Sequence, residues 1–364
     1  MREIAINHNE AGQRLDKFLG KYLKLAPKAF LYKMMRKKNI TLNGKRCDGS
    51  ERLCEGDRVK LFFAEETIEK FSQIKVQQVK KKKLDIIYED DHVLLINKPA
   101  GMLSQKAKDT DESLVEYLID YLMDSGQLKP EELRSFRPSV CNRLDRNTSG
   151  LVAAGKSLAG LQILSELFKD RSLHKYYLCA VAGQVREKSR IEGILVKDER
   201  RNLVAVSQVR KEGLREGRLR KENLREDSLK KENLREENEK RHRESDKNQV
   251  AGAAICTEYE PFAYENGCTL LRVRLITGKT HQIRAHLSSV GHPLVGDPKY
   301  GDKSVNEKAA RLYGVRFQML HSYEMVFPSV PEPLSLLGGK SFAAPVPKEF
   351  EKIFPSFDWS VLRR

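Results

Sequence analysis

One stretch of this chain cannot join a core, and it constrains how everything else can fold. From Lys211 to Lys240 the sequence repeats with a period of ten, as KEGLREGRLR, KENLREDSLK and KENLREENEK. Leucines recur every five residues, at Leu214, Leu219, Leu224, Leu229 and Leu234. Five helical steps turn a side chain by ~140°, so these leucines wind around a helix without forming a stripe. On a strand the odd period sends them alternately to opposite faces. Neither element buries them as a set, so residues 208–250 read as an exposed, charged insertion, disordered or loosely helical. A surface loop tolerates such an expansion at small entropic cost. The flanking segments are strand-like: GILVKDERRNLVAVS (193–207) reads as a hairpin, and AAICTEYEPFAY (253–264) as its partner strand.

The first 63 residues read as a small α/β domain. RLDKFLGKYLKL (14–25) places Leu15, Phe18, Leu19, Tyr22 and Leu23 at helical spacing. PKAFLYKMMRKKNI (27–40) opens on a proline suited to a first helical turn. Phe30, Leu31, Met34 and Met35 lie on one side of it, and Lys28, Lys33, Arg36, Lys37 and Lys38 on the other. ITLNGKRC is strand, Asn-Gly turn and strand, and LCEGDRVKLFF closes the unit. Cations gathered near the helix-to-strand junction form a candidate phosphate-binding surface, with Lys33, Arg36, Lys37 and Lys38 as its candidate nucleic-acid contacts. The alternative is a solvated helix face.

Residues 64–83 are polar, end in a lysine run and read as a basic linker. Residues 84–364 then form the larger domain. Its strand patterns include HKYYLCAVAG (174–183) and the clearly alternating CTLLRVRLIT (268–277). Amphipathic helices follow from ESLVEYLIDYLMD (112–124) and LAGLQILSELFKD (158–170). Adjacent strands with short turns and intervening helices indicate α+β, with a mixed, largely antiparallel sheet.

A net charge of +16 favours a polyanionic partner, nucleic acid first. The polar start MREIAINHNEAGQRLDKF reads as no secretory signal, and no apolar run reaches the ~20 residues of a membrane span. Six scattered cysteines without a Cys-x-x-Cys pair read as reduced thiols, which places the protein in the cytoplasm. No dinucleotide fingerprint, P-loop, His-Glu-x-x-His or nucleophile elbow occurs. Neither a metal nor a cofactor is expected, and the acidic turn Glu89, Asp90, Asp91 reads as solvent-facing.

Two segments concentrate polar groups in apolar surroundings: CNRLDRNTSGLVAAGKS and LITGKTHQIRAHLSSVGHPLVGDPKYG. Both resemble the RluA family of pseudouridine synthases, whose signature is His-Arg-Leu-Asp-x-x-Thr-Ser-Gly-Leu. Arg143, Leu144, Asp145, Thr148, Ser149, Gly150 and Leu151 match it, and INKPAGM and KYYLCAVAG match two shorter motifs. Asn142 stands where the family usually has histidine. The first 63 residues resemble the RNA-binding fold named after ribosomal small-subunit protein four.

The resemblance implies a pseudouridine synthase fold that isomerises uridines in structured RNA, large-subunit ribosomal RNA first and transfer RNA as the alternative. It implies Asp145 as the essential carboxylate, nucleophile or base, with a glycal route also open. Arg284 is implied as its cationic partner and Tyr177 as the active-site tyrosine. Arg143 is implied as the residue that enters the stack vacated by the flipped base, with a structural salt bridge as its plain alternative. Arg146 stays open, and Thr148 and Ser149 read as fixing the loop through local backbone hydrogen bonds. A non-catalytic RNA-binding assembly factor is the reading from another class, but such a chain would have lost Asp145, Tyr177 or Arg284. A monomer is the default expectation.

Overall fold

Short elements with an apolar stripe build the N-terminal part. They are β1 (Arg2–Ala5), α1 (Leu15–Tyr22), α2 (Lys28–Arg36), β2 (Ile40–Leu42), β3 (Lys45–Arg46) and β4 (Arg58–Leu61). The sheet runs β1-β4-β2-β3, each ladder antiparallel. Asn43 and Gly44 both take positive φ, 51° and 74°, as the predicted tight turn between β2 and β3 demands. Leu15, Phe18, Leu19, Met35, Ile40, Val59 and Leu61 are fully buried between the helices and the sheet. The computed structural model describes residues 1–72, 77, 79–198, 203–208 and 252–363. The repeat lies outside the described residues.

The reading of 64–83 as a linker needs correction at its start. Glu65–Phe71 is a helix, α3, whose Ile68 is fully buried in the N-terminal core. Phe71 packs on Phe30 with ring centroids 5.2 Å apart. Two apolar residues three apart are enough to dock one turn, yet too few to register as a periodic pattern among charges.

The other strands are β5 (Ile86–Glu89), β6 (Val93–Lys98), β7 (Ser139–Val140), β8 (Ser149–Gly155), β9 (His174–Ala182), β10 (Ser189–Asp198), β11 (Leu203–Gln208), β12 (Ala253–Glu265), β13 (Cys268–Leu275), β14 (Leu320–Val326) and β15 (Ser341–Ala343). The chain forms two compact units: residues 1–177, 320–348 and 358–364, and residues 178–319 and 349–357. In the first unit the strand order is β14-β8-β6-β5, with β7 also on β8 and β15 on β14. β8 and β14 run parallel, whereas β5–β6, β6–β8, β7–β8 and β14–β15 are antiparallel. The sheet is therefore mixed and largely antiparallel, as expected.

Helix α5 (Leu158–Lys169) follows β8 and is capped by Ser157, whose hydroxyl accepts the Gly160 N–H at 3.0 Å. Of the three acids read as solvent-facing only Asp91 is exposed: half-buried Asp90 accepts the N–H groups of His92 and Val93, each at 2.8 Å, and half-buried Glu89 pairs with Lys156 at 2.7 Å. In the second unit the order is β11-β10-β12-β13, antiparallel throughout. β10 and β11 are the hairpin read from the sequence, and β12 is its partner strand.

Candidate active site

β7 ends at Val140 and β8 begins at Ser149, so the conspicuous motif is the loop between two strands. At its centre Asp145 is half-buried, while Arg143 and Arg146 are exposed. The turn after β6 supports this loop from the neighbouring strand. Lys98 there is completely buried, and its Nζ donates to the carbonyls of Met102 (2.9 Å), Pro99 (3.0 Å) and Arg146 (3.2 Å). The Gly101 N–H also donates to the Arg146 carbonyl at 2.9 Å, and Arg146 Nε returns a bond to the Gly101 carbonyl at 3.1 Å. Ser104 Oγ accepts the Leu144 N–H and donates to the Leu144 carbonyl, both at 3.0 Å. Arg146, left open by the sequence, is thus held at its Nε by this turn.

Burial pulls the Lys98 ammonium down to about 7, and the negative charge of Asp145 opposes that pull. The lysine therefore belongs to the electrostatics of the Asp145 site. The sequence reading did not single it out, although its segment INKPAGM is one of the matching motifs. Its partners are main-chain carbonyls, which leave no mark in the sequence.

Tyr177 lies on β9 and is 5% exposed. Burial pushes its hydroxyl up to about 12, a hydrogen bond with Ser322 partly offsets this, and the charge of Asp145 adds to the rise. The structure thus brings Asp145 and Tyr177 into one electrostatic environment, with the phenol protonated near neutral pH. Thr148 donates its N–H locally to the Asp145 carbonyl at 3.0 Å. Ser149 differs from the expected local role: its hydroxyl meets Nδ1 of His321, 172 positions away, at 2.9 Å.

Arg284 belongs to the second unit, on the helix Gln282–Ser289, and is 4% exposed. Asp297 grips it bidentately, Nε to Oδ2 at 2.7 Å and Nη2 to Oδ1 at 2.8 Å. The Tyr300 ring lies 5.2 Å from the guanidinium carbon. Burial pushes the Asp297 carboxyl up, but the bonds and charge of Arg284 more than reverse this and leave it below the ordinary value. Asp297 also accepts the Lys299 and Tyr300 N–H groups at 2.8 and 3.2 Å. Such a pair fixes both the charge and the direction of the arginine. The sequence reading did not name Asp297 and Tyr300 as partners of Arg284, and the segment VGDPKYG that carries them was the available signal.

Lys33, Arg36, Lys37 and Lys38 are all exposed around the C-terminal end of α2. Among the described residues no group of three His, Cys, Asp or Glu side chains could hold a metal ion. No helix there is long and apolar enough to cross a membrane.

Comparison with known proteins separates a short N-terminal segment from the larger remainder of the chain. A family model described as RNA pseudouridylate synthase matches residues 92–289, more than half of the length, and a model of the S4 domain matches residues 13–59. The ribosomal large subunit pseudouridine synthase C of Vibrio vulnificus is 27% identical over 364 residues, covering 97% of this chain and 95% of that protein. The protein of the same name from Escherichia coli is 28% identical over 333 residues, covering 89% of this chain and 88% of its own. Human RNA pseudouridylate synthase domain containing 4 shares the fold, with a TM-score of 0.52 at 17% identity over 74% of this chain and 91% of that one.

Proposed function

The chain belongs to the RNA pseudouridylate synthase family, and from that premise we propose that it isomerises specific uridines of large-subunit ribosomal RNA to pseudouridine, with Asp145 as the reacting carboxylate. The observation that carries the substrate is the near full-length similarity to two proteins named as large-subunit ribosomal synthases. The N-terminal domain supports it as well, since Lys33, Arg36, Lys37 and Lys38 offer exposed charge to backbone phosphate.

The reaction breaks the nitrogen–carbon glycosidic bond, turns the uracil and rejoins it through carbon five. Nothing is oxidised or reduced, so these side chains carry the chemistry without a cofactor. The target base must first leave its stack, at a cost of a few kcal/mol. Arg143, exposed two residues before Asp145, is the group we assign to the vacated space. Asp145 then acts on the sugar or the base, as nucleophile or as proton-abstracting base. Either role needs an ionised carboxylate in a site emptied of water, which burial alone opposes and a nearby cation restores. Arg284 is that cation in this proposal, and Asp297 fixes its direction. The ring of Tyr177 supplies a stacking surface for the uracil. Its hydroxyl, kept protonated and bonded to Ser322, can pass on the carbon-five proton only as one member of a relay.

Pseudouridine mapping of total RNA from cells with and without this protein tests the substrate. The proposal expects a small set of large-subunit uridines to lose modification. Loss confined to transfer RNA would move the substrate to that alternative, and an unchanged map would contradict the proposal.

A further inference from the structure

The catalytic loop leaves the sheet at one point and returns at another, and both points lie on the same edge of β8. The opposite edge is paired with β6 from Gly150 to Gly155. On the loop's edge β8 has two short backbone partners: β7 at Ala154 and Gly155, and β14 at Ser149 and Gly150. Between these partners the main chain of Leu151 and Ala153 presents hydrogen-bonding groups that a buried strand must satisfy. Cys141 supplies the last backbone bond, its N–H donating to the Ala153 carbonyl at 2.7 Å.

From there a side chain continues the ladder. Asn142 Oδ1 accepts the Ala153 N–H at 2.8 Å, and Asn142 Nδ2 donates to the Leu151 carbonyl at 3.3 Å. The amide acts as a peptide group would, so the backbone can peel away towards Asp145 while the edge stays satisfied. At the far end Ser149 meets Nδ1 of His321 at 2.9 Å, and His321 is fully buried. Burial pulls that imidazole down to about 4, so it bonds as a neutral group at ordinary pH. The next residue, Gly150, lies so close to β14 that an added Cβ would stand 2.2 Å from the Ser322 carbonyl oxygen. The exit of the loop therefore has no freedom to slide.

We propose that Asn142 and His321 are positioning residues for the reaction, clamping the entry and the exit of loop 142–149 so that Asp145 is presented at a fixed place. Asn142, the position that departs from the RluA signature, thus has a definite task in this chain. The inference rests on the assignment of Asp145 as the reacting carboxylate.

The test is steady-state kinetics on the RNA substrate with Asn142→Ala, His321→Leu and His321→Asn, with melting temperature and RNA affinity measured alongside. A misplacement of about 1 Å costs roughly 100-fold in rate. Asn142→Ala and His321→Leu should accordingly lower kcat by about 10- to 100-fold with KM nearly unchanged. His321→Asn, whose amide reaches the place of Nδ1, should recover most of the loss. The two His321 variants differ by that polar group, so they read the bond even if the alanine variant fails to fold. Wild-type kcat in the Leu variant, a loss carried by KM, or no recovery in the Asn variant would overturn the clamp. Asp145→Asn is the separating control. If it stays active the carboxylate assignment falls, whereas its inactivity beside a fully active Asn142→Ala and His321→Leu overturns the clamp alone.

Discussion

Lys98 places an ammonium group where no part of it reaches solvent, and its three carbonyl partners explain how that is tolerated. A buried acceptor left without a donor costs about 1–3 kcal/mol. Replacing a buried charge by an apolar side chain can stabilise a protein when nothing is orphaned. Here the Pro99 and Met102 carbonyls lose this donor while the Arg146 carbonyl keeps the Gly101 N–H, so the loss outweighs the relief. Lys98→Met should lower stability by about 2–4 kcal/mol in urea denaturation. Unchanged stability would mean that water takes the lysine's place. Asp145, Tyr177 and Arg284 were nameable as candidates because each stands at a matching position of a recognisable family. Lys98 and Asp297 were not, because their roles lie in bonds to main-chain atoms and to another side chain. Asn142 stood out only as a mismatch, and its bonds to Leu151 and Ala153 give it meaning.

At the scale of elements, β8 does the most to fix the site. It is buried apart from half-buried Ser149, it carries the end of the loop that holds Asp145, and it pairs with β6, β7 and β14. Gly150 takes a φ of 108°, which an L side chain rarely adopts, and its close approach to Ser322 excludes a Cβ as well. Gly150→Ala should cost about 2–4 kcal/mol by thermal or urea unfolding and reduce activity beyond that loss of stability. Wild-type stability in this variant would show that β8 and β14 can separate without penalty. The elements with sustained periodicity were legible: the β10–β11 hairpin, its partner β12, α4 (Leu114–Asp124) and α5 all follow from their patterns. β1 and α3 were not. Arg2–Ala5 alternates between half-buried and exposed with charges on both faces, and α3 shows a single apolar pair within a polar run. Such segments are fixed by the surface they land on, which local sequence does not display.

At the scale of the whole molecule, the proposal assigns binding and chemistry to different residues. A net charge of +16 and the exposed cations of α2 provide attraction to phosphate that depends on salt and not on any single carboxylate. The rearrangement itself depends, in this account, on one atom group in one loop. The α+β class was legible because strand and helix patterns cover most of the length outside the repeat. The division into two compact units was not, because residues 320–348 join the first unit after more than 140 intervening positions and only tertiary pairing with β8 returns them there. The measurement that bears most directly on the central claim is pseudouridine formation by Asp145→Asn, a substitution of nearly equal size that removes the charge. Its RNA affinity and melting temperature should stay close to those of the wild type, while the rate of pseudouridine formation falls by at least about 10³-fold. A variant that folds, binds RNA and still modifies uridine at the wild-type rate would contradict the account.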